Sequence, residues 1–191
     1  YEFISVGITS NRLPRHLLFI MFGIAYYMNI RLKLGFISIL LLLFVSVKAN
    51  AHPQKFEKAE FYEVMKSGTL ETITNELEAI KTAPEKEREG YEGALLMKKA
   101  GLLRKAKDRL ASFKQGRIKL ETALLADPEN TEFHFLRLAI EEHAPKIVRY
   151  HSDIEKDKAF VIKNFKSQSP AVRHAILDYC ENSKVLHKED F

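Results

Sequence analysis

From residue 56 onward, apolar residues recur at spacings of three and four, and alternation at period 2 is never sustained. The spacing predicts helices. Phe56, Ala59, Tyr62 and Met65 form a first stripe that ends at Ser67 and Gly68. Thr69, with Thr72 in the following turn, is placed to cap a second helix carrying Leu70, Ile73, Leu77 and Ile80. Pro84 stops it and opens a third, where Glu85, Glu87 and Glu89 suit the positive N-terminal end. That helix carries Tyr91, Ala94 and Leu95 towards Gly101, read as its breaker. A long pattern follows through Leu103, Ala106, Leu110, Phe113, Leu120, Ala123 and Leu124, with Gly116 in its middle marking a bend or a close helix contact. Asp127, Pro128, Glu129 and Asn130 make a turn.

Thr131 and Glu132 open the next helix. It is apolar on two sides, Phe133, Leu136 and Ile140 on one and Phe135 and Leu138 on another, as expected of a central, buried element. Pro145 ends it. Ile154, Val161, Ile162 and Phe165 give a further stripe, and Ser169 with Pro170 starts the last strong helix. There Val172, Ile176, Tyr179 and Cys180 share one side, which places Cys180 in the core. Residues 184–191 read as a frayed tail. The expected fold class is all-α: about seven antiparallel helices joined by short turns in one domain, 52–191.

Upstream, the pattern changes. Residues 34–47 are apolar and uncharged, preceded by Arg31 and Lys33 and followed by Ala49, Asn50 and Ala51. A basic start, a short apolar run and small residues at Ala49 and Ala51 read as a secretory signal peptide over 28–51, cleaved before His52. The run is short for a membrane span, which needs about 20 residues. Residues 1–27 are read as upstream readthrough or a fragment. The alternative joins Leu17–Tyr27 to the apolar run as a membrane anchor through 17–47, against the charges of Arg31 and Lys33. The expected location is a periplasm or the outside of the cell. The first residue after cleavage is His52, not a cysteine that could be acylated.

Export changes the charge picture. The whole chain has 30 basic and 25 acidic residues, formally +5. Residues 1–51 hold Arg12, Arg15, Arg31, Lys33 and Lys48 against Glu2, which leaves 25 basic and 24 acidic residues to the rest. The basic character belongs to the leader, so it gives no argument for a nucleic-acid partner. One cysteine rules out an internal disulfide and any cysteine-rich zinc site.

Residues 116–130 resemble the second helix and exit turn of a tetratricopeptide repeat. Gly116 and Ala123 stand at its small positions, Leu120 at its bulky one, and Asp127 to Asn130 form the turn. Counting back from Pro128 puts Ala100, Arg104 and Lys107 where the first helix should carry an aromatic residue, a glycine and a tyrosine. Residues 91–101 could serve as that helix only across an inserted loop, and Thr131–His143 with 154–165 is a second candidate pair. The resemblance implies tetratricopeptide-like helical hairpins and a concave surface that binds proteins or peptides.

Candidate chemistry is sparse. No zinc-binding or phosphate-binding motif and no nucleophile elbow is present. His134, His143 and His151 could gather with Glu141 or Glu142 only through tertiary folding, and His174 with Asp178 forms an i, i+4 pair. No catalytic residue, cofactor or metal is expected. The most uneven charge is over 98–119, where Arg104, Lys105, Lys107, Arg109, Lys114 and Arg117 offer an anion-binding face. The plainer reading is a solvated helix surface offset by the acidic 85–92 stretch. The expectation is an exported, non-enzymatic helical binding or scaffold protein with a protein or peptide partner. The alternatives are a glycan or membrane-surface binder using the basic face, and an anchored form that keeps its leader.

Overall fold

The computed structural model describes residues 55–191, which belong to the second of two units into which the chain divides, His52–Phe191. The signal-peptide reading, the cleavage residues Ala49, Ala51 and His52, and the anchor through 17–47 lie outside the described residues. The described residues form seven α-helices and no strand: α1 (Lys58–Ser67), α2 (Leu70–Ala79), α3 (Glu85–Leu102), α4 (Ala106–Ala126), α5 (Thr131–His143), α6 (Ile154–Asn164) and α7 (Pro170–Tyr179). None of these is long and apolar enough to cross a membrane.

The helix starts follow from local chemistry. Thr69 and Thr72 close a reciprocal capping box on α2, with Thr69 N donating to Thr72 Oγ1 at 2.8 Å and Thr72 N to Thr69 Oγ1 at 3.2 Å. Asn130 Oδ1 accepts from Phe133 N at 3.1 Å and starts α5. Ser169 caps α7, with Pro170 in the first turn where its missing N–H costs nothing.

The long pattern from 106 to 124 is one 21-residue helix, and the preceding helix runs through Gly101 to Leu102. Only residues 103–105 separate them, and α3 pairs with α4 directly, with no inserted loop between the two helices. The pairing is antiparallel: Glu92 meets Lys119, Gly93 meets Gly116, and Leu96 O accepts from Ser112 Oγ. A Cβ on Gly116 would stand 2.5 Å from Gly93 O, and one on Gly93 would stand 2.6 Å from Leu120 N. The two backbones touch, so Gly116 marks a close contact rather than a bend. α5 and α6 pair in the same sense, through Arg137 and His134 to Asp157 and through Glu141 to Asp153.

α5 is the central element, with every residue from 131 to 138 buried. Phe133 and Leu136 join Phe61, Val64, Ile73, Tyr91, Leu95 and Leu120 in a larger core cluster. Phe135 and Leu138 join Val161, Val172, Ile176 and Cys180 in a second. Each fully buried Leu or Ile contributes about 1.5–3 kcal/mol relative to exposure. Cys180 is buried, as its stripe required.

Two sequence expectations fail. The core stripe of α1 is Phe61 and Val64 with Phe56 ahead of them, while Ala59 is exposed and Tyr62 and Met65 are half-buried. The tail is not frayed. Leu186 is fully buried, Phe191 stacks on Phe165 at 4.4 Å, and Glu142 accepts from Ser183 Oγ and Lys184 N, both at 2.6 Å. Leu186, Phe191 and one half-buried carboxylate anchor this stretch.

Candidate functional site: an apolar groove with charged walls

The apolar positions left over by the core gather in one place. Ala59, Tyr62 and Met65 of α1 line a groove of about 1280 Å³, with Ala106, Leu110 and Phe113 of α4. Met97 and Ala100 of α3 with Leu136, Ala139 and Ile140 of α5 form its floor. α7, which packs on both α1 and α5, adds Ala171, Ala175 and Tyr179 to one side. The turn Lys146–Val148 adds Ile147 to the α4 side. Leu110 is 48% exposed and Ile147 88%, large apolar residues that no described part of the chain covers.

The walls carry charge of opposite sign. On α1, Glu60 and Glu63 line the groove, exposed and with no cation within ion-pair distance among the described residues. Lys66, one turn on, is neutralised by Asp178 of α7 at 2.9 Å. On α4, Arg109 and Lys114 flank the Leu110 and Phe113 stripe, and neither pairs with a carboxylate among the described residues. Lys98 reaches the groove from α3, donates to Lys66 O at 3.2 Å, and is held below the usual lysine range by burial.

The six residues of the basic face are all exposed, but they do not act as one surface. Arg104 and Lys105 lie in the turn between α3 and α4. Lys107 and Lys114, seven residues apart, share one side of α4, and Arg109 lies away from them. Arg117 sits over the Tyr150 ring at 4.7 Å. Of these six, Arg109 and Lys114 line the groove. Lys119 is the basic residue of 98–119 that pairs with the acidic stretch, at 3.1 Å from Glu92.

The histidines do not gather. His134 is buried, with Nδ1 on Asp157 Oδ1 at 2.6 Å and Nε2 on Pro128 O at 2.8 Å. His151 Nδ1 bonds Glu141 O at 2.7 Å, and His143 sits by Ala139 O and Tyr179 OH. No metal-holding group of three or more His, Cys, Asp or Glu occurs among the described residues. His174 is exposed, 3.9 Å from an Asp178 carboxylate already engaged by Lys66. Asp157 belongs to a buried network, paired through both oxygens with Arg137 Nε (2.7 Å) and Nη2 (2.8 Å). Arg137 also donates to Glu121 at 3.0 Å, whose other oxygen takes Tyr150 OH at 2.6 Å. This network ties α4, α5 and α6 together behind the groove and does not open into it.

Sequence reasoning missed Tyr62, Met65, Met97, Ala139 and Gly93 as shapers of this site. The available signal was surplus: α1 is apolar at Ala59, Tyr62 and Met65 as well as at Phe61 and Val64, more than one packed face can use. Compared with protein-family models, curated proteins and solved structures, the chain matches none.

Proposed function

We propose that this is an exported helical binding protein that holds a protein or peptide partner in the apolar groove. The groove carries this reading. Sites for small molecules span about 300–1,000 Å³, and this one is larger, open, floored by apolar side chains and rimmed by charge. Pairing of α3 with α4 and of α5 with α6 supports the tetratricopeptide-like reading, in which stacked hairpins leave a concave side free. The signal peptide would deliver the domain to the periplasm or the medium, and the mature N-terminus would be His52.

The test uses the absence of tryptophan from the sequence. Ala139→Trp fills the groove floor and introduces a single fluorophore there. An apolar dye such as 1-N-phenylnaphthylamine should bind wild type near 1:1 and lose at least tenfold in affinity to the variant. Equal binding to both forms would refute a groove that is open in solution. A second reading has its own support: Arg104, Lys105 and Lys107 are exposed and without carboxylate partners among the described residues. These residues suit an anionic glycan or membrane surface. Salt-sensitive retention on heparin or anionic vesicles, abolished by reversing Lys105, Lys107 and Arg109, would select it.

A further inference from the structure

The opposed charges of the two walls narrow the occupant. We propose that the groove takes an amphipathic α-helix from a partner protein, apolar face down. Acidic residues along one edge would meet Arg109 and Lys114, and basic residues along the other would meet Glu60 and Glu63. This rests on the groove reading above.

Three observations lead to a helix of this type. First, the floor offers apolar side chains and the walls are helices whose backbone groups are already paired. An extended peptide laid there would bury N–H and C=O groups with no strand edge among the described residues to receive them, whereas a helix satisfies its own. Second, the wall charges have no ion-pair partner among the described residues. Glu60 and Glu63 lie three apart on α1, and Arg109 and Lys114 flank the apolar stripe of α4. Lys66 is cancelled by Asp178, so the α1 wall stays acidic. Third, an acyl anion would use the basic wall and leave two carboxylates facing its tail. A helix with both signs uses both walls, and their polarity then fixes which edge of the helix lies on which side.

The experiment selects helices rather than assuming one. A display library of about 16-residue helices, apolar at i, i+3, i+4 and i+7, varies Glu, Lys and Ser on the two flanks. It is selected on the full chain and counter-selected on Ala139→Trp. Enriched sequences should carry Glu on one flank and Lys on the other. As free peptides they should bind roughly tenfold tighter at low salt than their flank-swapped twins, with the gap closing as salt rises. The preference should invert on a variant combining Glu60→Lys, Glu63→Lys, Arg109→Glu and Lys114→Glu, its fold checked by circular dichroism. All four sites are exposed, so folding should survive.

Enriched helices without charge bias, or a bias that does not invert, would overturn the proposal. So would oleate binding 1:1 that needs Arg109 and Lys114 but ignores Glu60→Lys and Glu63→Lys, with no helix enriched over Ala139→Trp. If the dye distinguishes wild type from Ala139→Trp and no helix is enriched, the groove stands and the helix falls. If the dye does not distinguish them, both readings fall.

Discussion

Gly116→Ala and Gly101→Ala make the same chemical change in two helices that belong to one hairpin, and the structure predicts opposite results. At Gly116 the new Cβ would stand 2.5 Å from Gly93 O and 2.8 Å from both Met97 N and Met97 Cγ, where ordinary contact begins at 3.4 Å. Two of those neighbours are backbone atoms and cannot swing aside. α3 and α4 must part by about 0.9 Å on that side, the gap between 2.5 and 3.4 Å. Overpacking a tight contact costs about 1–3 kcal/mol, and a backbone clash belongs at the upper end. Alanine recovers up to about 1 kcal/mol of helix propensity. The net is a loss of about 1–2 kcal/mol, or several degrees in Tm for a domain of this size. At Gly101 a Cβ meets nothing within 4 Å, and no described glycine has positive φ. Only the propensity gain remains, up to about 1 kcal/mol, less if the helix end frays. Urea denaturation of both variants beside wild type reads the difference. A destabilised Gly116→Ala and a neutral or stabilised Gly101→Ala are expected. Equal shifts of the same sign would refute the backbone contact that joins the floor of the groove to its α4 wall.

Three more predictions follow from buried groups. Glu76 is buried, its Oε1 without a hydrogen-bond partner among the described residues, and burial together with the charge of Glu60 raises its carboxyl to about 7. Its protonated form suits the folded state, so the chain loses stability as pH rises from the ordinary glutamate range through about 7. Glu76→Gln should therefore gain about 1–3 kcal/mol on wild type between pH 5 and pH 8 in paired thermal melts, and a gain independent of pH would contradict this. Burial would raise Asp157, but the hydrogen bonds and charge of Arg137 and His134 outweigh it and hold the carboxyl below its usual range. The stability it contributes is present above the ordinary aspartate range and is lost as pH falls below it. Asp157→Ala at neutral pH takes two hydrogen bonds from the buried Arg137, which keeps Glu121 at 3.0 Å, and one from His134. It should cost about 2–4 kcal/mol in urea denaturation, whereas a cost under 1 kcal/mol would contradict the buried pairing. Burial pushes the Cys180 thiol up to about 11. Ellman's reagent at pH 8 should modify it slowly in native protein and at once in denaturant, and rapid native labelling would place Cys180 outside the core.

Much of the fold was legible because its signals are local. Thr69, Pro84, Asn130 and Ser169 with Pro170 announce helix ends through the hydrogen bonds their own side chains or rings make or forbid. The two-sided apolar pattern of α5 announced its central place. The groove was not legible, because Tyr62 and Met65 cannot be told from core residues by spacing alone. Their fate depends on Phe61 and Val64 taking the inward side of α1, and on α4 standing too far away to cover them. Gly116 announced a bend or a close contact, and its partner Gly93, which decides for the contact, emerged only with the antiparallel register. The basic stretch read as one face because it is dense in sequence. Helix geometry sends Arg109 away from Lys107, and only Arg109 and Lys114 of the six reach the groove. The tail misled because Val185, Leu186 and Phe191 show no helical spacing among polar residues, and the partners that hold it, Phe165 and Glu142, lie elsewhere in the chain.

The most direct test of the central claim is site-specific photocrosslinking in the source cells. A photoreactive phenylalanine analogue placed at Ile147, exposed on the groove, is compared with one at Leu125, exposed on α4 outside the residues that line it. A defined protein adduct at 147, absent at 125 and lost when Ala139→Trp is added, is the predicted result. Adducts of equal yield at both positions, or an adduct at 147 that survives Ala139→Trp, would contradict a partner held in the groove.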